Sequence, residues 1–224
     1  MKSGILVTRQ LLIASGNSKK LKEMQDLLTG LPFDALSLKS FPDVKEVPED
    51  GKTFEENAAA KALGYAQATG LLTLAEDSGL CCEALDHAPG IYSARFSGLD
   101  KNDHENNLKV LRLLEKIPDN CRGAYFKSAV ALAEPGRLVG VVSGEVHGYI
   151  AREIRGTNGF GYDVIFYYPP FQKTFGEVPA EMKYKVSHRF KALEKAKVLL
   201  ETQLPPRHLR STFRHPRESG DLGV

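Results

Sequence analysis

The chain has 224 residues, enough for one domain, or one with two lobes, around a sizeable core. Hydrophobic residues make up 42% and charged residues 26%, an ordinary soluble composition, and no apolar run approaches the roughly 18 residues that span a bilayer. Net charge is +2; four of the 30 basic and two of the 28 acidic residues fall in 205–224, so the remainder carries 26 of each, which argues against a nucleic-acid binder. Residues 1–10 lack a secretory core with a cleavage site, so a cytoplasmic protein is expected. Cys81, Cys82 and Cys121 lack CxxC spacing, which excludes a disulfide framework and a zinc site.

Along the chain, residues 11–14 are a short apolar run ending at Ser15-Gly16-Asn17, a buried strand entering a turn. Leu21, Met24, Leu27 and Leu28 follow at helical spacing. Alternation over 34–39 predicts an edge strand, and 41–51, broken by Pro42 and Pro48, a loop. Thr53-Phe54-Glu55-Glu56 is a capping box opening an Ala-rich helix over 53–69, with Gly70 as its stop. A strand over 71–75 is expected to end in a polar turn at Glu76-Asp77-Ser78-Gly79, with extended structure resuming over 80–84. A loop opens at Pro89-Gly90, and a helix follows over 103–117. Strands over 123–133 and 138–146 flank a Pro135-Gly136 hairpin turn, with a further strand over 149–154. A glycine-rich loop over 156–161, a strand over 162–166 and a helix over 187–202 close the pattern, the helix turning Phe190, Leu193 and Leu200 inward. The order is mixed α/β. It divides into an N-terminal extension over 1–10, a domain over 11–204, and a basic tail over 205–224 whose Pro, Arg, Ser and Gly content reads as disordered.

Some of these segments could carry chemistry. Ser15, Gly16, Asn17, Ser18, Lys19 and Lys20 lie between a strand and a helix start, where unpaired N–H groups and a lysine suit a phosphate. They also fit a plain turn capped by Asn17 or Ser18, and the Walker A spacing is absent. Glu49, Glu76 and Asp77 could share the holding of Mg²⁺ and the orientation of water; Glu76-Asp77 fits a polar turn equally well. In Gly156 to Asp163 the glycines allow close backbone approach, and Phe160 and Tyr162 offer faces for a base, or simply core aromatics. Ser187-His188-Arg189 opens a helix and reads as an anion or carbonyl site, or as a cap with surface charges; no GxSxG elbow supports a serine hydrolase.

The order of these signals is more specific than any one of them. Ser-Gly-Asn-x-x-Lys, Thr-Phe-Glu-Glu-Asn-Ala-x-x-Lys-Ala, Glu-Asp-Ser-Gly-Leu, Pro-Gly-Ile-Tyr-Ser-Ala-Arg-Phe, Gly-Phe-Gly-Tyr-Asp and Ser-His-Arg together resemble the inosine triphosphate pyrophosphatases, also called XTP/dITP diphosphatases, over about residues 11–200. The resemblance implies an elongated mixed sheet flanked by helices, two lobes with the active site in the cleft between them, and a homodimer. It implies Mg²⁺-dependent hydrolysis of ITP, dITP and XTP to monophosphate and pyrophosphate, with no membrane and no specific nucleic acid as partner. Residues Ser15 to Lys20 would contact the triphosphate and Lys61 would add a cation. Glu49 and Glu76 would bind Mg²⁺, and Asp77, beside them in the metal set, would activate water. Phe160, Gly161, Tyr162, Asp163, Lys183, His188 and Arg189 would hold the base. Ser78 and Arg95 lie in matching motifs. Glu76 stands where many members have Asp, and Val164 where Pro is usual. A Maf-type pyrophosphatase would show Ser-Pro-Arg-Arg in place of Asn17-Ser18-Lys19-Lys20, and a non-catalytic nucleotide or RNA binder would not be expected to keep all three acids.

Overall fold

The computed structural model describes residues 9–204. Residues 1–8 and 205–224, which hold most of the expected extension and all of the expected tail, lie outside the described residues. The elements run β1 (Arg9–Ala14), α1 (Ser18–Leu28), β2 (Phe33–Ser37), α2 (Phe54–Thr69), β3 (Leu72–Cys82), α3 (Asp103–Leu113), β4 (Gly123–Glu134), β5 (Arg137–Ile150), β6 (Phe166–Tyr168), β7 (Lys173–Thr174), α4 (Ala180–Val186) and α5 (His188–Thr202). The seven strands make one sheet in the order β2-β1-β3-β4-β5-β6-β7. The pairs β2–β1 and β1–β3 are parallel and the rest antiparallel.

Successive strand residues face opposite ways, and the core is built on that alternation. Leu11 and Ile13 of β1 join Leu74, Val130 and Leu132 on one face, under Met24 of α1 and Leu193 of α5. Leu12, Ala14, Ala75, Ala129 and Ala131 face the other way, under Phe54, Ala58, Ala62 and Ala66 of α2. The alanines let α2 approach the sheet closely, and Gly70 closes the helix in the left-handed region at φ 72°. A third cluster at the far end of the same long strands gathers Leu80, Phe126, Val146, Phe166 and Phe175 with Val110 of α3. The two lobes are therefore the two ends of one sheet, and residues 76–79 of β3 lie where the clusters meet.

Several expected boundaries move. The polar turn at 76–79 does not form: β3 runs unbroken through Glu76, Asp77, Ser78 and Gly79, because β4 pairs with every residue from Thr73 to Cys82. No separate strand covers 149–154; Tyr149 and Ile150 end β5, which pairs with β4 from Arg137 to Tyr149. Residues 162–165 form a turn, and the strand starts only at Phe166. Helix α3 stops at Leu113, and the helix α4 had no sequence signal in its own right. β1 begins at Arg9, inside the stretch assigned to an extension. Among the described residues no helix is long and apolar enough to cross a membrane.

Candidate active site

Glu76 and Asp77, adjacent on β3, send their carboxylates to opposite faces of the sheet. Asp77 faces α2, where Asn57 and Lys61 stand one turn apart. Asn57 Nδ2 donates to Asp77 Oδ2 at 3.0 Å, and Lys61 Nζ lies 3.5 Å from Oδ1. The shorter bond of Lys61, 2.5 Å, goes to Glu49 Oε1, and Arg95 Nη1 lies 3.7 Å from Glu49 Oε2. Burial pushes the Asp77 carboxyl up, against Lys61 and Asn57, whose hold on it is the looser share. Burial works against Glu49 as well, but there the closer Lys61 wins and holds the carboxyl low. Burial also opposes the Lys61 charge, and Asp77 and Glu49 together outweigh it and raise that group.

Glu76 is fully buried on the other face. Its Oε1 accepts from Ser128 Oγ at 2.8 Å and from Arg189 Nε at 2.9 Å. Ser128 reaches it because β4 places that serine opposite Ser78, the next residue on the same face. Burial alone would raise this carboxyl; Arg189, then Lys20 and the Ser128 hydroxyl, hold it well below the usual carboxylate range. Its Oε2 is buried without a hydrogen-bond partner, 3.6 Å from Lys20 Nζ. Lys20 itself donates to Ser78 Oγ at 2.9 Å. Arg189 is buried and spans three elements, with Nη1 on Glu23 of α1 at 2.6 Å and Nη2 on Ser78 at 3.3 Å.

These groups border two adjoining cavities. One, of about 440 Å³, is lined by Ser15, Gly16, Asn17, Lys20, Glu49, Lys61, Glu76, Asp77, Ser78 and Arg95. The other, of about 120 Å³, is lined by Phe160, Gly161, Tyr162, Asp163, Lys183, His188 and Arg189. Asn17, Lys20, Ser78 and Ala94 border both. Asn17 caps α1, its side chain accepting from the backbone of Lys19 and Lys20. Ser187 caps α5 in the same way, which sets His188 and Arg189 in the first turn. His188 stacks on Phe126 at 4.9 Å, and its Nδ1 has no partner. Burial, then the nearby Arg189 and Lys183 charges, lower its pKa well below the ordinary histidine value.

The residues expected at the site thus come together, with distinctions. Ser18 lines neither cavity. Lys19 also lines neither cavity and donates to Gly159 O at 3.0 Å. Tyr162 is buried and donates its hydroxyl to Ser93 O, so it braces the loop. Asp163 accepts from Phe160 N at 2.8 Å and from Lys183 Nζ at 2.5 Å, a second brace. Phe160 keeps a ring in the pocket, with Lys183 Nζ 4.6 Å and Arg189 Cζ 5.4 Å from its centroid. Sequence reasoning missed Asn57, Ser128 and Glu23. The one-turn spacing of Asn57 and Lys61 was a usable signal; nothing local marks Ser128 or Glu23.

A continuous seven-stranded sheet thus carries two adjoining cavities, one bordered by carboxylates and lysines and the other by an aromatic ring and buried donors. The Ham1 family model matches residues 11–199, and the chain belongs to that family. It is 50% identical over 184 residues to a protein of Geobacter sulfurreducens named dITP/XTP pyrophosphatase, covering 82% of this chain and 92% of that one. A protein of the same name from Desulforamulus reducens is 47% identical over 191 residues, 85% of this chain and 95% of its own. The solved structure of a HAM1 protein from Coxiella burnetii superposes with a TM-score of 0.81 at 43% identity, covering 87% of this chain and 99% of that one.

Proposed function

We propose that the chain hydrolyses non-standard purine nucleoside triphosphates, ITP, dITP and XTP, to the monophosphate and pyrophosphate, with Mg²⁺ as cofactor. The observation that carries this reading is the pair of joined cavities, one bordered by carboxylates and lysines, the other by an aromatic ring and buried donors. Its support from relatives is their printed name, dITP/XTP pyrophosphatase.

Among the described residues no three or more His, Cys, Asp or Glu side chains converge as a metal cluster. The donor set still fits Mg²⁺, which takes one or two carboxylates and fills its remaining positions with phosphate oxygens and water. Glu49, Glu76 and Asp77 border one cavity, and Glu76 Oε2 is a buried oxygen with no hydrogen bond. One or two of Glu49, Glu76 and Asp77 would hold the ion, which when bound supplies neutralisation of phosphate charge.

The residues divide the remaining work. Lys20 and Lys61, with the turn at Ser15 to Asn17, bind and orient the triphosphate. Asp77 accepts a proton from the attacking water, and Asn57 fixes its second oxygen. Water attacks the α-phosphorus in line and pyrophosphate leaves, with Lys20 and Lys61 holding the developing charge. In the second cavity Phe160 stacks on the base. Lys183 and Arg189 present donors that suit a 6-oxo group; adenine offers a donor there instead. One buried group left unpaired costs about 1–3 kcal/mol, roughly 5- to 150-fold in discrimination.

The test is pyrophosphate release from ITP, XTP, ATP and GTP with Mg²⁺, and again with EDTA. Release from ITP and XTP, abolished by EDTA, is the expected result. Orthophosphate as product, or equal rates on ATP, would overturn the specificity.

A further inference from the structure

Phe160 sits on a loop outside the sheet, between Gly159 at φ 79° and Gly161 at φ 60°. Two left-handed glycines beside a ring leave its aim to whatever grips the backbone. On one side the grip is Asp163, which accepts from Phe160 N. On the other it is α3. Asp103 Oδ2 accepts from Gly161 N at 2.7 Å, and Asn107 Nδ2 donates to Gly161 O at 2.8 Å. Asp103 and Asn107 lie one turn apart on one face of the helix, so one element holds both peptide groups of Gly161. Asn102 caps that helix through Glu105 N and fixes where the turn begins.

From these contacts we infer that Asp103 and Asn107 are positioning residues, which aim the Phe160 ring into the base cavity by clamping Gly161. This rests on the nucleotide reading above. Asp103 is exposed, so its carboxylate fills no core. Asn107 is buried, yet its Oδ1 has no partner, while its Nδ2 is shared between Asp103 O and Gly161 O. An unpaired buried oxygen is unfavourable, and packing alone would be better served by an apolar side chain. The neighbour Asn106 grips Ser97 N and Ala94 O, in the segment that carries Arg95, so α3 ties the base end of the cleft to the phosphate end.

The experiment is calorimetric titration of IMP, and separately of inorganic pyrophosphate, into wild type, Asp103→Ala, Asp103→Asn and Asn107→Leu. Asp103→Ala and Asn107→Leu are expected to bind IMP about tenfold more weakly, the worth of one strong hydrogen bond, with pyrophosphate affinity unchanged. Asp103→Asn keeps an acceptor oxygen and is expected to recover most of the IMP affinity. Wild-type IMP affinity in Asp103→Ala overturns the proposal. So does equal loss of IMP and pyrophosphate, or an Asp103→Asn no better than Asp103→Ala. A wild type that binds no IMP overturns the nucleotide reading itself, and the proposal falls with it.

Discussion

Lys61 stands between two carboxylates and treats them unequally, and that inequality separates their roles. Glu49 takes the short bond and stays charged; Asp77 keeps the longer one, is raised by burial, and can take up a proton. Asp77→Asn preserves the size of the side chain but not its basicity. It is expected to lower kcat on ITP by about 100- to 10,000-fold, the range for a general base, with little change in thermal midpoint. Arg189 tests the opposite face. Its guanidinium is the link among Glu76, Glu23 and Ser78, so Arg189→Met would leave two acids facing a desolvated gap. Removing one partner of a buried pair costs about 3–5 kcal/mol, and urea unfolding should show a loss of that order. A loss below about 1 kcal/mol would mean that water reaches the pair.

At the scale of elements, close approach is bought by small residues at specific places. Gly144 on β5 is the contact point of α5: a Cβ there would lie 2.4 Å from His188 O and 2.5 Å from Ala192 N, both backbone atoms. Gly144→Ala must therefore lift the first turn of α5. The expected cost is about 1–3 kcal/mol of stability, together with a raised KM for ITP, since His188 and Arg189 ride on that turn. An unchanged melting temperature would show that α5 yields freely. The start of α2 is governed by its cap. Thr53 Oγ1 accepts from Glu56 N at 3.1 Å, and Glu56 Oε2 accepts from Lys52 N at 2.6 Å, one residue before the expected reciprocal partner. Thr53→Ala should cost about 1 kcal/mol in chemical denaturation and leave Asn57 and Lys61, further along α2, in place.

For the whole molecule, acid sensitivity is set in part by His188. The folded protein holds it neutral, while the unfolded chain takes up a proton below about pH 6.5. Below that pH the unfolded state binds more protons than the native state, so stability rises with pH through this window and the contribution is complete above it. Stability measured from pH 7.5 to 5.5 should fall in wild type and fall less in His188→Gln. Equal slopes would show that His188 titrates alike in the folded and unfolded states.

Local pattern alone determined the strand–turn–helix at the start, the capped α2, the β4–β5 hairpin and the Ser187 cap of α5, because each rests on residues within one or two turns of each other. The ordered motifs also marked many of the residues that border the two cavities, though not Glu49 or Lys183. Tertiary structure decided what local pattern could not. Glu76-Asp77-Ser78-Gly79 looks like a turn because charged residues rarely sit within a buried strand. It is a strand because β4 pairs with each of these residues, and because Lys61 and Asn57 on one face and Arg189 and Ser128 on the other partner the two acids. Those partners lie from 16 to 113 residues away in the chain. No periodicity encodes such a pairing; it exists only once the sheet has set its register and α2 and α5 have packed on opposite faces.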